Sequence, residues 1–141
     1  MNDDIKKTSL YEYHKENSNN VIDFSGFLLP VFYSSILEEH QSVRKDAGLF
    51  DVSHMGQIFI SGSYSEKFVQ MVTTNDVSKL KKGQAQYSAI CNEEGGIIDD
   101  IIVYKRESDY MLVVNASEID LSLIHISEPT RLRRISYAVV W

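Results

Sequence analysis

Apolar residues recur along the first 120 positions at two spacings, every second residue and every third or fourth, and segments of the two kinds alternate. Ser9-Leu10-Tyr11-Glu12-Tyr13 pairs a serine with a glutamate three residues on, and Leu10 and Tyr13 share a face, which predicts a short capped helix packing by its tyrosines. Val21 to Phe24 reads as a strand, broken by Ser25-Gly26 before the apolar stretch Phe27 to Phe32. Between Ser34 and Asp46 the residues Ile36, Leu37, His40 and Val43 fall at helical steps, giving an amphipathic helix that Gly48 would stop.

From Asp51 to Ser61 the apolar Val52, Ile58 and Ile60 occupy even positions, the period of a half-buried strand, with Met55 and Phe59 on its other face. Ser63-Tyr64-Ser65-Glu66 reads as a capping box ahead of Phe68, Met71 and Val72, a further amphipathic helix. Past the Lys82-Gly83 turn come three strand-like runs, Ala85 to Cys91, Ile97 to Tyr104 and Tyr110 to Val114. Short polar connections join them, which makes an antiparallel meander the expected topology. Roughly five strands and three helices in mixed order predict an α+β fold, helices covering an antiparallel sheet.

Composition is that of an ordinary globular domain, with 43% hydrophobic and 24% charged residues. The formal charge is −6, and residues 1–120 alone carry 11 basic and 19 acidic side chains, a sum of −8, so generic binding to a phosphate backbone is disfavoured. Cys91 is the single cysteine and no Cys/His cluster has zinc spacing, which suggests a reducing compartment, the cytoplasm by default, and no metal. The start, Met1 to Lys7, has neither an apolar signal core nor a basic amphipathic helix, and no apolar run reaches the ~20 residues of a membrane span.

Among residues able to carry chemistry, Asp99 and Asp100 follow Gly95-Gly96-Ile97-Ile98, so on a strand one carboxylate faces the core side and the other faces away. An acid in a partly apolar setting can transfer a proton or steer a developing cation. The plain alternative is hairpin chemistry, an acidic pair after a Gly-Gly turn. Ser53 and His54 are neighbours, but adjacent strand positions face opposite ways, so they do not make a nucleophile and its base. Tyr87, Tyr104 and Tyr110 are placed so that aromatic surface would gather on one sheet face, suited to a flat ligand or simply to packing. No phosphate loop or dinucleotide glycine pattern is present.

Several motifs occur together and in one order: Leu10-Tyr11-Glu12-Tyr13-His14, Val21-Ile22-Asp23-Phe24-Ser25-Gly26, Gly48-Leu49-Phe50-Asp51-Val52-Ser53-His54-Met55-Gly56, Thr74-Asn75-Asp76-Val77, Gln86-Tyr87-Ser88, Gly95-Gly96-Ile97-Ile98-Asp99-Asp100 and Leu112-Val113-Val114-Asn115-Ala116. In this series the chain, over about residues 8 to 120, resembles the glycine cleavage system T-protein (aminomethyltransferase) family. The resemblance implies the first part of a three-domain architecture, the N-terminal part of a folate-binding domain over residues 1–120. It implies transfer of the aminomethyl carbon from the lipoyl arm of H-protein to tetrahydrofolate, with release of ammonia. Under that likeness Asp100 is the catalytic carboxylate against the folate pterin, Met55, Tyr87, Ile102 and Asn115 line the folate pocket, and Asp99 is structural. Phe27 stands where the family usually has Trp. The family's later domains are missing, so the chain as written is expected to be inactive by itself. Two other functions fit the resemblance less closely: a folate-binding relative that assists iron–sulfur enzymes without group transfer, and the folate domain of a dimethylglycine- or sarcosine-oxidising enzyme.

Residues 121–141 depart from this pattern. Leu121-Ser122-Leu123-Ile124-His125-Ile126-Ser127-Glu128-Pro129-Thr130-Arg131 and, three residues on, Ile135-Ser136-Tyr137-Ala138-Val139 match the two translated halves of a transposase-end adapter used in sequencing libraries. They are therefore expected to be a non-native tail, with Ser117 opening another capped helix just ahead of it.

Overall fold

In a computed structural model the described residues are 5–118 and 136–140. They carry three α-helices and eight strands in two sheets, an α+β fold, and the chain divides into two compact units, Met1–His54 and Met55–Trp141.

In the first unit β3 (Phe27–Pro30) lies between β1 (Lys6–Lys7), which is parallel to it, and β2 (Val21–Phe24), which is antiparallel. The β2–β3 turn is Ser25-Gly26, both at positive φ (52° and 81°), a conformation that matches the right-handed twist of a two-residue hairpin. Asp23 Oδ1 accepts from the Gly26 N–H at 2.9 Å and closes it. Helix α1 (Tyr11–Asn17) lacks the expected cap, since Leu10 occupies the N-cap position and no side chain bonds there. Of its tyrosines, Tyr13 meets the Tyr33 ring edge-on at 6.1 Å yet stays exposed, and the side chain α1 buries is His14.

Helix α2 (Ile36–Lys45) is capped by Ser35, whose side chain accepts from the Glu38 N–H, and it ends at Asp46 rather than at Gly48. Gly48 serves close approach instead, because a Cβ there would come 2.5 Å from Val43 Cγ2. None of the side chains of α2 is buried.

The second unit is a sheet in the order β5-β6-β7-β4-β8. Its strands are β4 (Gly56–Ser61), β5 (Ala85–Cys91), β6 (Ile97–Lys105), β7 (Asp109–Val114) and β8 (Ser136–Val140), and every pairing is antiparallel. The β5-β6-β7 meander is the one the alternation predicts. One face carries the core: Ile58, Ile60, Ile90, Ile101, Val103, Tyr110, Leu112 and Val114 pack with Phe68 and Val69 of α3 (Ser65–Val72) and with Val77 and Leu80. Burying a large apolar side chain of this kind is worth about 1.5–3 kcal/mol.

Three expectations are corrected here. β4 begins at Gly56, not Asp51, because Asp51 Oδ1 accepts from the Ser53 N–H at 2.9 Å and turns the chain, leaving Val52 exposed. The capping box at Ser63 does not form: α3 starts behind Tyr64 without a side-chain cap, and the Glu66 carboxylate goes to Lys105 Nζ and Tyr110 Oη, both at 2.8 Å. The tyrosines do not share one face, since Tyr110 is in the core while Tyr87 is on the opposite, open face.

β8 pairs with the free side of β4, from Gln57↔Val140 to Ser61↔Ser136. The rest of the expected tail lies outside the described residues. Ala116–Glu118 form a turn of 3-10 helix at the position of the helix expected from Ser117.

Candidate functional site

β6 separates the two adjacent acids. Ile101 and Val103 are core residues, so residues of the same parity face the core and those between them face the open side. Asp99 is accordingly buried, at 4% exposure, and Asp100 is exposed on the open face. A β-bulge sits directly upstream: Ile90 pairs with Asp99 but Cys91 with Ile97, so Ile98 is the extra residue of β6. The hairpin ahead of the bulge is tied by Asn92 Oδ1, which accepts from the N–H groups of Glu94 (3.1 Å) and Gly96 (2.7 Å).

Three of the five predicted site residues are joined by hydrogen bonds. The Tyr87 hydroxyl donates to Asp100 Oδ2 at 3.2 Å. Asn115 Nδ2, from the residue that follows β7, lies 3.1 Å from Asp100 Oδ1 and 3.2 Å from the Asp100 carbonyl oxygen. The Asp100 carboxylate thus has a donor on each oxygen while staying open to solvent. The hydrogen bond to Asp100, reinforced by that group's negative charge, raises the Tyr87 hydroxyl above the usual tyrosine value, so it remains a donor across the neutral range. The loop after α3 fixes the backbone beneath it: Asn75 Nδ2 donates to the Tyr87 carbonyl at 2.9 Å, and the Asn75 N–H to Ser88 Oγ at 3.0 Å.

The remaining two predicted residues are placed by register. Ile102 pairs with Tyr87 on one side and Val113 on the other and is 39% exposed on the open face. Met55 immediately precedes β4, at the end where Gly56 pairs with Val114, and Asn115 follows Val114 at that same end. Met55 itself lies in the bend ahead of the strand and is half-buried. All five therefore belong to the second unit.

Asp99 binds the same asparagine from beneath. Its Oδ2 accepts from the Asn115 N–H at 3.1 Å and its Oδ1 from Asn115 Nδ2 at 2.7 Å. A carboxylate and an amide on opposite sides of one strand pair are brought together because β7 stops at Val114 while β6 runs on beyond it through Asp100 and Asp99.

A second polar cluster lies in the first unit and escaped the sequence reading. His14 is buried at 1% exposure, its Nε2 2.7 Å from Asp51 Oδ2 and its Nδ1 2.7 Å from the Tyr33 hydroxyl. A carboxylate only accepts, so Nε2 carries the proton in the bond to Asp51. Burial acting alone would raise the acid's pKa, but the hydrogen bonds from Ser53 and His14 outweigh it and hold Asp51 far below the usual carboxylate range. Burial, then the neighbouring Tyr13, Asp51 and Glu39, push the Tyr33 phenol up. The partners are 19 and 37 residues from His14, beyond any local pattern. Among the described residues no group of three or more His, Cys, Asp or Glu is arranged to hold a metal ion, and no helix is long and apolar enough to cross a membrane.

Comparison with known proteins gives these features a context. The aminomethyltransferase of Halalkalibacterium halodurans is 52% identical over 118 residues, which are 83% of this chain and 32% of that protein. The aminomethyltransferase of Bacillus licheniformis is 50% identical over 137 residues, 94% of this chain and 38% of the relative. The crystal structure of the glycine cleavage system aminomethyltransferase T from Bartonella henselae superposes with a TM-score of 0.88 at 32% identity, covering 96% of this chain and 38% of that one. The chain thus spans about a third of the length of the curated relatives it matches. The family described as GCVT N-terminal domain matches residues 10–140, which take in the Asp99-Asp100 pair, Tyr87 and Asn115 alike, and the chain belongs to that family.

Proposed function

We propose that this chain supplies the tetrahydrofolate-binding face of an aminomethyltransferase of the glycine cleavage system, with Asp100 as its catalytic carboxylate. The observation that carries the reading is the state of Asp100: exposed on the open face of the sheet, and held by the Tyr87 hydroxyl and the Asn115 amide. Met55 and Ile102 supply apolar surface beside it. Relatives named aminomethyltransferase at about 50% identity support the reaction class, and the structural neighbour supports the glycine cleavage system as its setting.

The residues present suit such a ligand. A pterin ring offers N–H donors and a flat apolar face, and the open side of β5, β6 and β7 offers a carboxylate acceptor bonded to Tyr87 and two residues along β6 from Ile102. When bound, tetrahydrofolate accepts the one-carbon unit. Asp100, fixed in orientation by its two donors, stabilises a positive charge developing near its oxygens and accepts a hydrogen bond from an attacking amine. Preorganised charge of this kind favours a transition state more cationic than its reactants. Tyr87 and Asn115 orient the acid. In this reading the donor of the carbon is the lipoyl arm of H-protein, and a cytoplasmic setting belongs to the same proposal.

The test is a full-length protein carrying this segment as its opening third, assayed for methylene-tetrahydrofolate formation from aminomethylated H-protein. The Asp100→Asn variant is expected to lose turnover about a hundredfold or more, the range for a positioned acid or base. Turnover equal to the parent's would remove Asp100 from the chemistry. Tetrahydrofolate binding without any turnover in the parent would instead favour the non-catalytic, folate-binding alternative.

A further inference from the structure

Asp99 is a buried carboxylate on the face opposite the proposed chemistry, and each of its oxygens accepts a hydrogen bond from Asn115. Through the backbone N–H it secures the end of β7, and through Nδ2 it orients the Asn115 side chain. An asparagine Nδ2 has two hydrogens and accepts nothing, whereas Oδ1 only accepts. With Nδ2 committed to Asp99 Oδ1 at 2.7 Å, its remaining hydrogen reaches Asp100, where Oδ1 is 3.1 Å and the carbonyl oxygen 3.2 Å away. Turned over, the same amide would set an oxygen against each of the two carboxylates, acceptor against acceptor. The bond to Asp99 is the shorter of the two, 2.7 against 3.1 Å, so the acid beneath sets which way the amide lies.

We propose that Asp99 is a positioning residue, holding the Asn115 amide in the one orientation that fixes the Asp100 carboxylate on the open face. This rests on the role given to Asp100 above. The two acids then divide the work: the exposed one meets the ligand, and the buried one sets the exposed one's geometry from the other side of the sheet without touching it. A buried carboxylate kept for packing alone would have no need of a side-chain donor shared with its neighbour.

The amide spectra are recorded on the whole 141-residue chain, and binding is measured on a full-length protein that carries it. The side-chain amide signals of Asn115 are followed by nitrogen-15 NMR, and tetrahydrofolate binding is titrated calorimetrically, for the parent, Asp99→Asn, Asn115→Ala and the double variant. In the parent, both Asn115 amide hydrogens are expected to exchange slowly and to be well separated in shift. Asp99→Asn, nearly the same shape but with one acceptor fewer, is expected to speed their exchange and to weaken tetrahydrofolate binding about tenfold, the loss of one charge-assisted bond. Asn115→Ala should match that loss, and the double variant should add nothing further. Unchanged Asn115 signals in Asp99→Asn, or losses that multiply in the double variant, overturn the proposal. Should Asp99→Asn fail to fold, the parent spectrum still decides, since Asn115 hydrogens exchanging as fast as those of an exposed asparagine overturn it too. A full-length parent with no affinity for tetrahydrofolate would sink the functional reading and leave the amide spectrum to judge Asp99.

Discussion

The two units are stabilised in opposite ways. In residues 55–118 a continuous apolar cluster runs under four strands and is sealed by α3, whereas in residues 5–54 the buried side chains are Thr8, His14, Ser18 and Leu29, three of them polar. Packing through shape tolerates a change of pH and punishes a change of volume; bonding through charge does the reverse. The difference teaches where each unit is vulnerable. It also explains why α2, with Ile36 and Leu37 at 63% and 66% exposure, contributes little to its own unit's cohesion.

The sharpest way to break the comparison is to remove volume from the second unit. Phe68→Ala is expected to cost about 3–5 kcal/mol, because the ring is almost fully enclosed between α3 and the sheet and little can collapse into its place. Denaturant unfolding of the chain measures it, and a cost under 1 kcal/mol would mean that the cluster is loosely packed.

A smaller effect is expected from acid, and on the other unit. Asp51 has its pKa lowered in the folded state, so its stabilising contribution is complete above the unfolded value of about 4 and is lost as pH falls below that toward the folded one. Amide exchange in residues 5–54 should therefore accelerate on going from neutral pH to about pH 3, relative to its intrinsic rate, more than in residues 55–118. Equal acceleration in both would show that His14 and Asp51 do not govern the first unit.

How much of this was legible in the sequence follows the range of the interactions. The β5-β6-β7 meander could be read because alternation and turn residues such as Gly95-Gly96 are local signals, and the same alternation assigned Asp99 and Asp100 to opposite faces. The capping box at Ser63 misled because Glu66 bonds Lys105 and Tyr110, residues 39 and 44 positions away, which no window around the helix contains. Val52 shared the parity of Ile58 and Ile60 by coincidence, since an aspartate–serine turn intervenes. The bulge at Ile98 was hidden in a run that looks like uninterrupted strand. At the candidate site the residue types were legible through family resemblance, while the Asp99–Asn115–Asp100 bonds depend on where β7 stops against the longer β6.

The least effect is expected from removing residues 121–141, if they are the foreign tail that their sequence suggests. The core of the second unit assembles from β4 to β7 and α3, and β8 adds backbone bonds at the edge of β4. The melting temperature should move by less than about 4 °C, the shift that roughly 1 kcal/mol produces in a domain of this size. A larger fall would show that β8 is native structure.

The bulge has a consequence for how this stretch of chain can vary. A pleated strand is a two-state counter, and each residue added or removed inverts everything downstream of it until something resets the count. Ile98 is such a reset, placed between the hairpin at Asn92–Gly96 and the first of the two acids. Loop length upstream can change by a residue and be absorbed there, while a single insertion between Asp100 and Ile101 would turn the wrong carboxylate to the solvent. The slack in the chain is stored on one side of the pair, and the side that must keep time has none.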